Sequence, residues 1–210
     1  MSAQGAHKIT FEFEQELCRY TGAKYAIAVD NESNALSMCL LYENCKGMEI
    51  TIPSRTYPSV PCEIILAGAH VKWREVRGDT LTGAYRLEPT RIWDSALRFT
   101  ADMYLADTLM CVSFTGAYKH LKLGKGGAIL LDDSVAYEWF KKFRNSGRSE
   151  CSYHVDNFTT IGKNYYMMPQ VAAQGLLLMQ QFYDMDGFKK HMDDVTLPYP
   201  DLSKFPVYNR

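Results

Sequence analysis

Four short runs of this sequence each close an apolar stretch with side chains that can do chemistry. Asp30-Asn31-Glu32-Ser33 follows YAIAV (25–29) and opens a helical pattern. A helix start presents unpaired backbone N–H groups and the positive end of the helix dipole, which suits a phosphate. Taken alone, the run is an ordinary helix cap. Ser54-Arg55-Thr56-Tyr57 follows MEITIP (48–53), and Tyr57 there either covers a flat ring or lies at the rim of the core. Asp94 ends RIWD, where an acid is either buried beside a cation or exposed as a cap for residues 95–99. Ser113-Phe114-Thr115-Gly116-Ala117-Tyr118-Lys119 ends in an amine and runs on to Gly124-Lys125-Gly126-Gly127. A glycine after Gly124-Lys125, where Ser or Thr would be needed, excludes a P-loop. By itself this stretch is a basic surface hairpin. Together the four runs supply a phosphate cradle, a ring cover, an acid and a lysine. Pyridoxal phosphate needs that set for its phosphate, ring face, pyridine nitrogen and aldehyde.

The elements that must position these residues alternate in type. Helical spacing covers 10–21 up to Gly22, then 32–43 with Asn31 or Ser33 as cap, 57–67, 134–144 and the strongly apolar 168–183. Buried-strand runs cover 25–29, 48–53, 70–76, part of 86–94 beginning after Pro89, 107–114 and 126–133. Residues 77–84 are turn-like, and 196–210, with Pro198, Pro200 and Pro206, reads as an extended tail. Strand and helix in alternation predict an α/β fold of three layers, α/β/α, with a mainly parallel sheet of about six strands. In such sheets ligands sit at the carboxyl ends of the strands, where the four runs fall.

Composition narrows the function classes. With 210 residues, 47% of them hydrophobic and 13% aromatic, the chain can bury a full core and is not disordered. One domain over 1–195 followed by the tail 196–210 accounts for the length. The net charge of −1 argues against nucleic acid or a membrane surface as partner. No apolar run approaches the roughly 20 residues that span a bilayer. The N-terminus has no apolar segment of the secretory type. Six cysteines, at 18, 39, 45, 62, 111 and 151, form no C-x-x-C pair, and five histidines form no H-x-x-x-H pair. Reduced, buried thiols in a cytoplasmic protein without a metal site are the expectation.

From about residue 10 to 182 the sequence resembles the DegT-type sugar aminotransferases, which are fold-type-I pyridoxal-phosphate enzymes. FEQELCRYTGAKYAIAVDNESNALSMCL resembles the family's entry helix, first strand and Ser-Gly-Thr-Ala-Ala-Leu segment. IPSRTYPSVPCEIILAGAHVKWREV resembles the segment with the stacking aromatic, and WDSAL the Glu-Asp-Ala-Ala-Gln segment. SFTGAYKHLKLGKGGAILLDD resembles the Ser-Phe-x-x-x-Lys loop and the glycine-rich strand after it. FRNSGR and IGKNYYMMPQVAAQGLLLMQQF resemble two further family segments, and the six occur in family order.

The resemblance implies roles for particular residues. Lys119 would hold the cofactor aldehyde as a Schiff base, and Asp94 would pair with the pyridine nitrogen. Tyr57 would stack on the ring. Ser33 and Ser113, with N–H groups near Glu32 and Ser33, would hold the phosphate. Asn164 would reach the phosphate in the other subunit of a homodimer. The sequence departs from the pattern where Glu32-Ser33 replaces Gly-Thr, Leu97 replaces a glutamine, and one extra residue precedes Lys119. A strand–helix unit between Val76 and Arg91 is missing, as is most of the C-terminal small domain. The Asp94 strand is therefore expected beside 48–53. A pyridoxal-phosphate-dependent aminotransferase acting on a small amino or keto substrate is the implied activity. The alternatives are a decarboxylase of a small amino or keto acid and a non-catalytic remnant of the fold.

Overall fold

The computed structural model describes residues 3–75, 83–116, 119, 121–184 and 199–209. Its elements in chain order are α1 (Ala3–Thr21), β1 (Tyr25–Val29), α2 (Glu32–Tyr42), β2 (Glu49–Pro53), α3 (Ser59–Leu66), β3 (His70–Arg74), β4 (Tyr85–Arg86), β5 (Ile92–Ser95), β6 (Leu109–Ser113), β7 (Gly127–Leu131), α4 (Ser134–Phe143) and α5 (Pro169–Asp184). Every helix and strand expected from the sequence forms, most of them trimmed by a residue or two; α1 starts well before residue 10.

Side chains alternate across the strands and feed two apolar layers. Ile27, Val29, Leu109, Cys111, Ile129 and Leu131 face Leu36 and Leu40 of α2, Ile64 of α3 and Phe140 of α4. Their neighbours Ala26, Ala28, Met110, Val112, Ala128 and Leu130 face Phe13 and Leu17 of α1 and Ala172 and Met179 of α5. This period of two makes the sheet the middle of three layers. Helix α2 is buried nearly all round from Ala35 to Leu40, which explains why its apolar residues mark no single stripe.

The sheet itself departs from expectation. It is mixed, in the order β1-β7-β6-β5-β4, with β2-β3 as a separate pair. Only β5–β6 and β2–β3 are parallel; β1–β7, β6–β7 and β4–β5 are antiparallel. The reason is in the connections. Among the described residues no helix lies between β6 and β7 or between β4 and β5, and each pair folds back on itself as a hairpin-like return. Among the described residues seven strands form, against about six expected, because Tyr85–Arg86 adds one. That strand also corrects the place of Asp94. β5 does not lie beside β2; the segment 85–88 lies between them. Tyr85 and Arg86 pair with Asp94 and Trp93, while Glu88 exchanges backbone hydrogen bonds of 2.8 and 3.2 Å with Thr51. Segment 85–88, just past the turn-like run 77–84, thus fills the place between β2 and β5; residues 76–82 lie outside the described residues.

The tail is not extended where it is described. Asp201 accepts from Ser203 N (3.2 Å) and caps a 3-10 turn, Leu202–Lys204, and Pro206 opens a second, Pro206–Tyr208. Leu202 N donates to Ser54 O at 2.8 Å and Trp73 Nε1 to Asn209 Oδ1 at 2.7 Å, so the tail is tied to the ends of β2 and β3. Pro198 lies outside the described residues.

β1 is an edge strand, and its exposed backbone is closed by a buried ion pair. Ala28 N donates to Glu14 Oε1 (2.8 Å), and Arg144 Nη1 donates both to Glu14 and to Ala28 O (2.7 Å). Three elements, α1, β1 and the end of α4, are pinned at this point. Burial pushes the Glu14 carboxyl up against the pull of Arg144. We expect Arg144→Met to cost about 3 kcal/mol or more, because it leaves a buried acid and a backbone carbonyl unpaired. Urea unfolding measures this; a midpoint equal to the parent's would contradict the pinning role.

Candidate active site

A cavity of about 390 Å³ opens where the ends of β2 and β6 meet the start of α2. Glu32, Ser33, Tyr57, Ser113 and Lys119 all line it. Asp94 does not line the cavity itself, but Ala96, whose N–H donates to Asp94 Oδ1 at 2.8 Å, does. Six of the seven residues singled out from the sequence therefore converge. Asn164, the seventh, is exposed on the segment after α4, bridged to Asn145 and away from this cavity.

The α2 end of the cavity is built by local capping. Asn31, not Ser33, caps α2: its Oδ1 accepts from Asn34 N at 2.9 Å, and Asp30 Oδ1 accepts from Asn34 Nδ2 at 2.7 Å. The N–H groups of Glu32 and Ser33 then have no partner within the helix. Gly127 of β7 lets the helix start approach the sheet, since a Cβ there would lie 2.7 Å from Glu32 N. Lys125 lines the same wall and is held 3.8 Å from Asp30.

The other end is an ionisable cluster with little access to water. Lys119, Asp94 and Glu32 are 8%, 4% and 7% exposed. Burial lowers the Lys119 amine below the usual lysine range, although Glu32 and Asp94 pull it back. Burial raises the Asp94 carboxyl, opposed by hydrogen bonds from Tyr85 and Ala96 N and by Lys119. Glu32 is pushed well above the glutamate range, first by burial and then by the Asp94 charge. Its Oε1 accepts no hydrogen bond. A neutral Glu32 carries no charge to repel a phosphate, so the replacement of glycine by glutamate is compatible with an anion at the α2 start.

Several residues of the site were not foreseen. Tyr85 donates to Asp94 Oδ2 at 2.7 Å and shares a hydrogen bond with Thr56. Tyr199 of the tail lines the cavity, and its ring meets Tyr57 edge to face, with centroids 6.1 Å apart. Arg55 Nη1 donates to Tyr199 O at 2.9 Å. Tyr57 itself is half exposed at the rim. A two-residue strand and a contact across 142 positions of chain leave no periodic trace in sequence; a tyrosine at the position paired with an acid was the only available sign.

Among the described residues no group of His, Cys, Asp and Glu is arranged to hold a metal, and no helix is long and apolar enough to cross a membrane. Fold and cavity together define an α/β domain with a buried lysine and acid beside an anion cradle. The model of the DegT/DnrJ/EryC1/StrS aminotransferase family matches residues 4–88 and 105–199, and the chain belongs to that family. Solved structures share the fold at low identity. The aminotransferase from Psychrobacter cryohalolentis is 18% identical, with a TM-score of 0.66 over 84% of this chain and 57% of that one. The 3-amino-5-hydroxybenzoic acid synthase is 18% identical, with a TM-score of 0.69 over 84% of this chain and 56% of that one. DesV of S. venezuelae, solved with a ketimine intermediate, is 20% identical, with a TM-score of 0.69 over 85% and 58%. This chain therefore spans less than two thirds of the length of each.

Because Glu32 binds its proton more tightly folded than unfolded, the folded state holds the extra proton above the ordinary value of 4.5. Its contribution to stability must fall as pH rises from there toward the folded midpoint. We expect Glu32→Gln to match the parent in acid and to exceed it in stability progressively as pH rises. Thermal melts across that range check the sign; a constant difference would place Glu32 elsewhere.

Proposed function

We propose that this protein is a pyridoxal-phosphate-dependent aminotransferase acting on a small amino or keto substrate. The observation that carries the reading is the pairing of a buried Lys119 with a buried Asp94 at one end of a cavity whose other end is a free helix start. The donor set fits the cofactor. Ser33, Ser113 and the N–H groups of Glu32 and Ser33 would hold its phosphate, Asp94 its pyridine nitrogen and Tyr57 one ring face. The bound cofactor supplies an electron sink for the bond broken at the substrate carbon.

The chain's own groups do the rest. Burial favours Lys119 as the neutral amine, the form that attacks a carbonyl and later takes and returns a proton at its Nζ. Asp94, held by Tyr85 and Ala96 N, keeps a proton on the ring nitrogen through its negative charge. The protein layers on both sides of the cavity limit water, which strengthens each of these charges. Family membership favours amine transfer over loss of carbon dioxide; Lys119 and Asp94 serve either outcome.

We further propose a homodimer in the cytoplasm, with Asn164 reaching the partner's site. Support comes from the segment that carries Asn164: Val155, Phe158, Ile161 and Met168 are all exposed, Ile161 by 94%. Such a cluster of apolar side chains suits an isologous contact. All six cysteines are free thiols, which suits a reducing compartment.

Adding pyridoxal phosphate should produce a visible absorbance band in the parent that borohydride bleaches, leaving the reduced cofactor covalently attached to Lys119, and Lys119→Ala should lack that band. Turnover in that variant should fall by about 10⁴-fold or more. A panel of amino and keto acids, read for both amine transfer and carbon dioxide, separates transamination from decarboxylation. A parent protein that stays colourless with added cofactor would make the chain a remnant of the fold. Sedimentation should give a dimer, and a monomer that binds cofactor tightly would remove Asn164 from the site.

A further inference from the structure

Asp94 is reached by a chain of hydrogen bonds that runs from Thr56 through Tyr85, which lies between the family-like segments 52–76 and 93–97. Tyr85 stands opposite Asp94 in the antiparallel β4–β5 register, so the two side chains leave the same face of the sheet. Tyr85 Oη donates to Asp94 Oδ2 at 2.7 Å, and Ala96 N donates to Oδ1 at 2.8 Å. With its proton committed to Asp94, Tyr85 receives the hydroxyl proton of Thr56, which is itself 2% exposed. Thr56 directly precedes Tyr57 at the end of β2. The relay therefore ties the acid to the loop that bears the proposed ring cover.

We propose that Tyr85, oriented by Thr56, is the positioning residue for Asp94, fixing its direction and holding it as the anion that a ring nitrogen requires. The proposal rests on the cofactor reading above and deepens it. Burial works against the anion at this place, and each carboxylate oxygen has one donor to offset it. The phenol cannot compete for the charge, because burial and the neighbouring Asp94 push its own ionisation well above the tyrosine range. The other groups that face Asp94 are Lys119 from the loop after β6, Glu32 from α2 and Cys111 from the paired position of β6. Of these only Lys119 can become cationic; burial draws it toward the neutral amine, and it has work at the other end of the ring. Tyr85 is thus the side chain that can steady Asp94 without leaving it.

The test begins without cofactor. Carboxyl ¹³C NMR of the apo protein follows the Asp94 midpoint in the parent, Tyr85→Phe and Thr56→Val. The midpoint should rise in Tyr85→Phe and rise by less in Thr56→Val, where the phenol still donates but is no longer oriented. Tryptophan fluorescence then measures pyridoxal phosphate affinity, which should weaken about tenfold in Tyr85→Phe. The visible band's pH midpoint should shift upward in the same variant. A Tyr85→Phe protein that melts lower but keeps the parental Asp94 midpoint would make the contact purely structural and overturn the proposal. If Tyr85→Phe does not fold, an unchanged midpoint in Thr56→Val overturns it equally. A parent that takes up no cofactor, with the Asp94 shift intact, would instead count against the aminotransferase reading alone.

Discussion

Two acids and one amine share a space that water hardly reaches, and the rest of the molecule is arranged around that fact. Isolated charges are too costly to keep in such surroundings, so Glu32, Asp94 and Lys119 must settle their protons among themselves. All three respond in the direction of neutrality: the acids hold their protons more tightly and the amine holds its own less. The downward shift of Lys119 favours the unprotonated amine, the form in which a lysine can act as a nucleophile. The same balance explains how a glutamate survives at a helix start where the family places glycine. The carboxyl is buried, and its surroundings push it toward the protonated form.

The scaffold serves this cluster through its edges. β1 would offer an open row of hydrogen-bonding groups, and Glu14 with Arg144 closes part of it. Asp30 N donates to Tyr165 O at 2.9 Å and closes more of it. The strand that leads into Asn31 and Glu32 is thereby held from both sides, and the start of α2 is held with it. At the other margin, β4 is only two residues long, yet it places a phenol where the acid needs one.

The layers and the converging residues were legible because they rest on local signals. Apolar runs such as YAIAV and GAILL are buried between the helix layers and show it plainly, and Asn31 before a helical stretch marks a cap. Strand direction was less legible. GAILL reads the same whether it runs with its neighbour or against it, and the return from β6 to β7 depends on a loop rather than on a helix that spacing could reveal. Tyr85 was hidden for a related reason: two residues have no period, and β4 exists only through its partners Trp93 and Asp94. Tyr199 was hidden by distance along the chain. Lys119 and Asp94 stood out from the family-like segments around them, whereas the residues that steady Asp94 lie partly outside those segments.

The junction between the two sheets has a mechanical meaning. Among the described residues, backbone hydrogen bonds join β2–β3 to the main sheet only through Thr51 and Glu88. On the far side of that seam lie Thr56 and Tyr57, with the tail fastened through Ser54; on the near side lie Lys119, Asp94 and the start of α2. The cavity therefore straddles the line of weakest main-chain attachment. A change of angle between the two sheets would alter the gap between Tyr57 and Lys119 while leaving each sheet's own hydrogen bonds intact.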